Sequence, residues 1–162
     1  MHKQLFIPGP VDVLPEVLEK MAAPMIGHRA SEYSALQLDV TPKLQQLLYT
    51  QQRVYLYASS STGVMEGTVR QASTQRILNT VCGEFSSRWH EITQANGLAC
   101  DKVEVPIGQA ITPQVVDEAL SAAIAAGTPY DAITVVMNET STGVMSPVKD
   151  IAALVRTKYP DV

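Results

Sequence analysis

The sequence predicts an α/β domain built on a mainly parallel sheet, and three observations support this. Short runs rich in β-branched residues recur from residue 53 onward, and segments of helical composition separate them. Strand and helix alternate four times at the spacing of βα units. The length of 162 residues favours a single domain, and with 46% hydrophobic residues the chain can bury a sizeable core.

The first fifty residues are predicted to be largely helical. Pro15 suits the first position of one helix. Ser31 could cap a second helix, in which Pro42 would be a break or a kink. We therefore expect residues 1–50 to form an amino-terminal arm and helices that lead into the first part of an α/β domain over residues 51–162.

The main domain should contain four strands, each followed by a helix. The strand candidates are residues 53–58, 76–82, 101–106 and 131–137. The helix candidates are residues 64–72, 84–97, 112–127 and 146–160. Thr112 and Pro113 open the third helix, and Gly127 closes it. Ser146 is the expected cap of the last helix, with Pro147 at its first position.

The composition argues against several classes of partner. The net charge is −4, and no cluster of Lys and Arg forms a stripe, which disfavours nucleic acid and anionic membrane surfaces. No apolar run is long enough for a signal peptide or a membrane span, so we predict a cytoplasmic protein. Cys82 and Cys100 lack CxxC spacing and a histidine at metal-ligand spacing, so we expect buried thiols and no metal site.

The pentapeptide Ser-Thr-Gly-Val-Met occurs twice, at residues 61–65 and at residues 141–145. Both copies follow a β-rich run, and loops at the carboxyl ends of parallel strands meet at one edge of a sheet, where ligands bind. The sequences that flank the two copies do not match. We therefore expect two loops on one edge of the sheet, in preference to an internal duplication.

The first copy has the composition of a phosphate site. Residues 59–62 supply four hydroxyl groups, Gly63 permits close backbone approach, and the N–H groups of a helix start would point at an anion. The same composition is common in plain turns, so both interpretations stay open. The second copy follows Asn138, Glu139 and Thr140, which could hold a hydroxyl or amine of a ligand or belong to a capped turn.

Two further segments contain candidate site residues. Phe85 follows a predicted strand, where its ring could lie against a planar ligand; alternatively, Phe85 and Trp89 form one apolar helix face. Arg88 is expected to make a structural ion pair. Gly27–Arg29 is a glycine-led loop with two polar side chains, in which a lone residue such as His28 more often has a structural role.

Four segments, in this order, resemble the class V aminotransferases, which use pyridoxal 5'-phosphate. They are residues 8–33, 59–70, 82–89 and 138–147. The branch in question contains alanine–glyoxylate, serine–glyoxylate and serine–pyruvate aminotransferases and the so-called soluble hydrogenase subunit of cyanobacteria. The resemblance covers essentially the whole chain, but members of the family are much longer. It implies the N-terminal part of a fold type I transferase large domain, with a three-layer, mainly parallel sheet that is truncated.

The resemblance also implies roles for individual residues. The cofactor-binding positions would be Ser60, Ser61, Thr62, Phe85, Thr140 and Asn138. The substrate-side positions would be Gly9, Gly27, His28 and Arg29. The first three match the phosphate loop, Phe85 matches the residue that stacks on the pyridine ring, and Thr140 matches a hydroxyl residue near its phenolic oxygen. Gly9 belongs to the turn Pro8–Pro10, which matches a segment on the substrate side.

Two catalytic groups of the family have no counterpart in the chain. The family uses a lysine that holds the cofactor as a Schiff base and an aspartate that keeps the pyridine nitrogen protonated. None of the lysines lies in a matching motif: Lys3, Lys20, Lys43, Lys102, Lys149 and Lys158. Gln71, Glu84 and Met137 also depart from the family pattern, and Glu84 could repel an anionic cofactor. We therefore expect this chain alone to be inactive.

These observations lead to two main interpretations. The first is the N-terminal portion of an aminotransferase that moves an amino group between serine or alanine and a 2-oxo acid, either glyoxylate or pyruvate. The second is a non-catalytic binding or partner subunit that retains half of the fold. A generic nucleotide-binding domain is disfavoured because GxGxxG and a P-loop lysine are absent. The family forms homodimers, so we expect a homodimer or an assembly with a complementing C-terminal half.

Overall fold

The computed structural model describes residues 3–7 and 9–162. The chain divides into two compact units, Met1–Leu56 and Tyr57–Val162. The second unit contains the parallel sheet and four of the helices, and all the buried hydrophobic residues of the described part of the chain lie in it.

The first unit is helical. Helix α1 spans Pro15–Met21, with Pro15 in its first turn as predicted, and α2 spans Ser31–Leu47. The prediction that Ser31 caps α2 is wrong, because the extended residue before it, Ala30, is the N-cap and Ser31 is already helical. Pro42 does not break the helix: a proline removes one backbone hydrogen bond, and α2 continues through this loss.

The second unit is built on a three-stranded parallel sheet. Strands β1 (Ile77–Val81), β2 (Cys100–Glu104) and β3 (Ala132–Thr134) lie in the order β2-β1-β3. All five residues of the central strand β1 are buried. The predicted α/β class with a mainly parallel sheet is therefore confirmed.

Helices cover both faces of this sheet and complete the predicted three layers. They are α3 (Ser61–Ala72), α4 (Glu84–Ala95), α5 (Pro113–Ala125) and α6 (Val148–Lys158). Side chains alternate along a strand, so Ile77 and Leu78 point to opposite faces. Ile77 packs with Val69 and Ile92, which belong to α3 and α4. Leu78 packs with residues of α5 and α6, among them Leu120.

The first predicted strand, residues 53–58, does not form. In the part of the chain that the structure describes, no strand pairs with this segment, and the side chains of Tyr55 and Leu56 are mostly exposed. The backbone of a strand needs a hydrogen-bonded neighbour, so β-rich composition alone does not produce one. The alternation of strand and helix consequently occurs three times, not four.

The last β-rich run, residues 131–137, is shorter as a parallel strand than predicted. Strand β3 ends at Thr134, and the chain then forms an antiparallel hairpin of β4 (Asn138–Glu139) and β5 (Val144–Met145). Gly143, with φ of +72°, allows the tight turn between them. The hairpin lies just beyond the carboxyl end of β3.

The two helix caps predicted in the second unit have different outcomes. Thr112 caps α5 as expected, since its hydroxyl accepts the N–H of Val115 at 3.3 Å. Ser146 does not cap α6. Its N–H donates to the carbonyl of Met137 at 2.8 Å at the base of the hairpin, and the non-helical Pro147 separates it from the helix. In the described residues the buried hydroxyl of Ser146 has no hydrogen-bond partner, and Pro147 is the N-cap of α6.

Several negative findings apply to residues 3–7 and 9–162. No helix there is both long and apolar enough to cross a membrane. No group of three or more His, Cys, Asp or Glu side chains is arranged to hold a metal ion. Cys82 and Cys100 are free thiols, the first buried and the second partly buried.

Candidate functional site

Two segments that are far apart in sequence meet at the carboxyl edge of the sheet. Strand β1 leads through Gly83 into α4, and the neighbouring strand β3 leads into the hairpin. The hydroxyl of Thr80 donates to the carbonyl of Thr134 at 2.8 Å and ties the two strand ends together. The N–H of Glu84 donates to the hydroxyl of Ser141 at 3.0 Å. The start of α4 and the second pentapeptide therefore lie side by side.

The buried carboxylate of Glu139 caps α4 across this junction. The residue is 1% exposed. Its Oε2 accepts both the N–H and the hydroxyl of Ser86 at 2.8 Å. Its Oε1 accepts the N–H of Phe85 at 3.2 Å and the hydroxyl of Ser141 at 2.6 Å. The carboxylate thus satisfies N–H groups of the first helical turn and places negative charge at the positive end of the helix.

These contacts keep Glu139 charged. Burial alone would raise the pKa of its carboxyl group, but the hydrogen bonds from Ser141, Ser86 and Phe85 offset this, so the pKa lies below its ordinary value. The junction also requires glycine at position 83. A Cβ there would lie 2.5 Å from both Glu139 Cγ and Ser141 Oγ, so a larger residue would push the hairpin away from α4.

Phe85 is exposed at the start of α4, whereas Trp89 is part of the core. The side chain of Phe85 is 55% exposed, and Trp89 packs against the cluster of Val69, Ile77 and Ile92. The two aromatic residues therefore do not share one buried face, and the ring of Phe85 remains accessible to a ligand. Arg88, which directly precedes Trp89, forms an ion pair with Glu91 at 2.7 Å, as predicted.

Helix α3 begins within the first pentapeptide, three residues earlier than predicted. Ser60 is its N-cap, and the side chain of Ser60 makes no capping hydrogen bond. The hydroxyl residues 59–62 are exposed. A Cβ on Gly63 would collide with the hydroxyl of Ser59, so glycine permits the close approach of these two residues.

The starts of α3 and α4 lie on the same edge of the sheet. Helix α3 ends just before β1 and α4 begins just after it, and both pack on one face through Val69 and Ile92. Both helices therefore run antiparallel to β1, so their N-termini lie near its carboxyl end. This edge carries the predicted residues Ser60, Ser61, Thr62, Phe85, Asn138 and Thr140.

The two copies of the pentapeptide have different conformations. Residues 61–65 form the first turns of α3, whereas residues 141–145 form the turn and second strand of the hairpin. The same five residues thus take up structures set by their surroundings. The expectation of a loop is therefore wrong for the first copy, which is helical, and the different conformations give no support to an internal duplication.

The predicted substrate-side residues all lie in the first unit. Gly9, Gly27, His28 and Arg29 are exposed, and the N–H of Ala30 donates to the carbonyl of Gly27 at 2.9 Å in the turn before α2. Pro8, the first residue of the predicted Pro-Gly-Pro turn, lies outside the described residues. Their roles stay predictions.

Sequence reasoning missed the cap formed by Glu139. It treated this residue as a possible ligand contact, but the carboxylate is buried and bonded to protein groups. One signal was available: Gly83 is followed three positions later by Ser86, whose hydroxyl accepts the N–H of Gly83 at 3.0 Å. The local sequence around Ser86 does not indicate that its partner is Glu139, 53 residues further along the chain.

Comparisons with known proteins agree with this architecture. No protein-family model matches the chain. The chain is 37% identical over 161 residues to an uncharacterised aminotransferase of Methanocaldococcus jannaschii, covering 96% of this chain and 40% of the relative. It is 33% identical over 149 residues to the small subunit of a soluble hydrogenase from Synechococcus, covering 91% and 38%. Ureidoglycine–glyoxylate aminotransferase from Bacillus subtilis has a similar structure, with a TM-score of 0.83 and 25% identity over 93% of this chain and 38% of that one.

The fold has three layers around a parallel sheet, and the carboxyl edge of this sheet carries polar groups and an aromatic ring. Together with the structural neighbours, this architecture defines an aminotransferase fold. The homologues and structural neighbours are class V aminotransferases, and a soluble hydrogenase subunit is among the relatives, as the sequence resemblance implied. The chain spans about 40% of the length of the relatives that it matches.

Proposed function

We propose that this chain is the cofactor-binding, amino-terminal part of an aminotransferase that uses pyridoxal 5'-phosphate. One observation supports the proposal above all: the start of α4, with the exposed ring of Phe85, meets the hairpin with Thr140 at the carboxyl edge of one parallel sheet. The chain order and the packing of α3 on the same face direct its start, with Ser60, to this edge. A planar ring with a phosphate group needs an aromatic face, polar groups at the ring edge and an anion site. The residues at this edge fit such a group.

The start of α3 is the proposed phosphate site. Ser60, Ser61 and Thr62 are exposed, the first turn of α3 contains no acidic residue, and the side chain of its N-cap, Ser60, makes no capping hydrogen bond. The start of α4 does not suit an anion, because the carboxylate of Glu139 already occupies it. The phosphate would therefore bind to hydroxyl and N–H groups of α3.

Phe85 would cover one face of the cofactor ring. Because it is not part of the core, its ring can contact a ligand without disturbing the fold. Thr140 and Asn138, both exposed on the hairpin, would contact the polar edge of the ring. When bound, pyridoxal phosphate supplies an electron sink for the carbon that loses a proton. The residues of this chain would bind it, orient it and shield one face from water.

The proposed reaction moves an amino group between a small amino acid, serine or alanine, and a 2-oxo acid, glyoxylate or pyruvate. The name of the Bacillus subtilis neighbour includes glyoxylate, which supports the proposed acceptor class. Gly9, Gly27, His28 and Arg29 would line the substrate side. The Schiff-base lysine would come from polypeptide other than these 162 residues, so this chain would bind the cofactor and not transaminate alone.

Titration with pyridoxal phosphate, followed by its absorbance and by quenching of the fluorescence of Trp89, tests the binding proposal. We expect S61A and T62A to weaken binding about tenfold each, since each variant lacks a hydroxyl that would donate a hydrogen bond to the charged phosphate. The matched control is T68A, on the same helix, whose hydroxyl bonds to the carbonyl of Val64 at 2.8 Å. If S61A and T62A bind pyridoxal phosphate as tightly as the control T68A, the proposed phosphate site is wrong.

Borohydride reduction followed by mass spectrometry tests the proposal that the reactive amine is not in this chain. We expect no stoichiometric adduct on any one lysine after incubation with pyridoxal phosphate. A single lysine that is fully modified would show that the chain supplies the amine itself, and this part of the proposal would then be wrong.

A second candidate is a non-catalytic subunit that associates with another chain or with a second copy. It is favoured by an apolar groove beside β3, which in the described residues pairs only with β1. The groove is lined by Ile133, Val135, Ile151, Ala152 and Val155, among others. An open sheet edge beside apolar side chains favours association. Light scattering should show a dimer or a larger species, and a stable monomer would count against this candidate.

A further inference from the structure

We propose that Glu139 is a positioning residue, which sets the orientation of Phe85 by joining the hairpin to the start of α4. This inference rests on the proposed function, because it identifies what holds the ring-stacking residue in place. Glu139 is buried, and its carboxylate oxygens bond to protein groups on both sides of the junction. It therefore acts through its neighbours and not by direct contact with a ligand.

The carboxylate holds two consecutive backbone N–H groups, one with each oxygen. Oε1 accepts the N–H of Phe85 at 3.2 Å, and Oε2 accepts the N–H of Ser86 at 2.8 Å. A single bond would leave the first turn free to rotate about it, whereas two bonds to a planar carboxylate fix both distance and rotation. The direction in which Phe85 leaves the backbone is set by the same pair of bonds.

The hairpin is fixed to the same point. The hydroxyl of Ser141 donates to Oε1 of Glu139 at 2.6 Å and accepts the N–H of Glu84 at 3.0 Å. Ser141 directly follows Thr140, the proposed contact to the polar edge of the ring. The two ligand-facing residues Phe85 and Thr140 are thus held at a constant separation by groups that do not themselves face the ligand.

Charge and positioning predict opposite effects of removing this carboxylate. A negative charge near an anionic ligand repels it, so a purely electrostatic role means that E139Q binds pyridoxal phosphate more tightly. If Glu139 positions Phe85, the same substitution weakens binding of the ring. It leaves inorganic phosphate unaffected, because the proposed phosphate site is the start of another helix, α3.

The experiment compares E139Q with E84Q, using pyridoxal phosphate and inorganic phosphate as separate probes. Glu84 is the exposed carboxylate next to Phe85, so E84Q removes the same charge without altering the buried junction. We expect E139Q to bind pyridoxal phosphate about tenfold more weakly, with phosphate binding unchanged, and E84Q to show no weakening. If E139Q binds pyridoxal phosphate as tightly as the unmodified chain, or loses both probes together, the positioning role is wrong.

A second readout needs no ligand and separates this inference from the proposed function. In nuclear magnetic resonance spectra, the amide protons of Phe85 and Ser86 should shift upfield in E139Q, because each loses its bond to a charged carboxylate oxygen. If E139Q does not fold, S141A keeps the carboxylate and removes one donor, with a smaller change in the same direction. Unchanged spectra would overturn the inference, whereas a failure of the unmodified chain to bind pyridoxal phosphate would overturn only the proposed function.

Discussion

The N–H of Ser86 donates a hydrogen bond of 2.8 Å to the carboxylate of Glu139, which lies 53 residues further along the chain. This bond joins the first turn of α4 to the hairpin after β3, and it fills the positive end of that helix with a protein carboxylate. At the neighbouring start of α3, the first turn contains no acidic residue and the side chain of the N-cap, Ser60, makes no capping hydrogen bond. Two helix starts on one edge of the sheet therefore differ in what they can bind, and several predictions about stability and binding depend on this difference.

Substitution of Gly83 should destabilise the fold. In G83A the new Cβ would lie 2.5 Å from Glu139 Cγ and Ser141 Oγ, and we expect the free energy of unfolding to fall by about 1–3 kcal/mol in urea titrations. The control is G67A, in the interior of α3, where a Cβ meets no atom within 4 Å. Alanine should stabilise that position by about 0.5–1 kcal/mol, so an equal loss in both variants would contradict the proposed crowding.

Phe85 and Trp89 should contribute to different properties. F85A should change the free energy of unfolding by less than about 0.5 kcal/mol, because the ring is mostly exposed, but it should weaken binding of pyridoxal phosphate. W89A should lower the free energy of unfolding by about 2 kcal/mol or more, because Trp89 packs against the core. Thermal unfolding and ligand titration of both variants check this. A large loss of stability in F85A would show that the Phe85 ring packs in the core, which would contradict its exposed position.

Asp131 should stabilise the turn before β1 in a pH-dependent way. Burial would raise the pKa of its carboxyl, but the hydroxyl of Ser73 and the N–H groups of Thr74, Gln75 and Arg76 lower the pKa well below its ordinary value of 3.8. The stabilisation is therefore complete above that value and declines as the pH falls below it. At pH 7 we expect D131N to lose about 1–3 kcal/mol.

Urea titrations of D131N at several pH values provide the measurement. The difference from the unmodified chain should be largest near neutrality and should narrow in acid, as the carboxyl group becomes protonated. D161N, at an exposed carboxylate near the end of the chain, serves as the control and should show almost no change at any pH. A difference for D131N that does not depend on pH would contradict the account.

Tyr130 should give the opposite pH dependence. Burial and the hydrogen bond of its hydroxyl to Asp101, 2.7 Å long, raise the pKa of Tyr130 from 10.0 to about 12. The neutral phenol stabilises the fold fully below pH 10, and this contribution is lost as the pH rises towards 12. Y130F should be less stable by about 1 kcal/mol at pH 8, and the gap should close at high pH. Y33F, at an exposed tyrosine of α2, is the control and should be as stable as the unmodified chain. A stability difference for Y130F that grows as the pH rises would contradict the raised pKa.

Local patterns predicted most of the second unit because the same residues decide both local structure and burial there. The runs that contain Ile77 and Val103 alternate with helices of matching length, and both became parallel strands. The segment 53–58 has a similar composition but remains irregular, because a strand also needs a partner that composition does not reveal. The helix starts were placed within a few residues, whereas the cap at Ser146 failed because Pro147 is not helical.

The positions of the exposed candidate residues could be predicted in part from the sequence, whereas the buried contact that supports them could not. Hydroxyl residues and a glycine after a β-rich run identified the start of α3, and the edge rule for parallel sheets brought Phe85 and Thr140 to the same region. Spacing alone could not separate Phe85 from Trp89, since residues four apart share one helix face. The role of Glu139 depends on a contact between distant segments, and only the folded chain contains it.

The most direct test of the proposed cofactor site at the carboxyl edge of the sheet is a titration of the isotopically labelled chain with pyridoxal phosphate. The backbone amide resonances report the binding. The account predicts saturable shifts concentrated at Ser61, Thr62, Phe85 and Thr140. The amides of Asp117 and Tyr159, which belong to the contact between α5 and α6 on the other face of the sheet, should stay unchanged. Shifts centred on that other face, or no saturable shifts at all, would contradict the central claim.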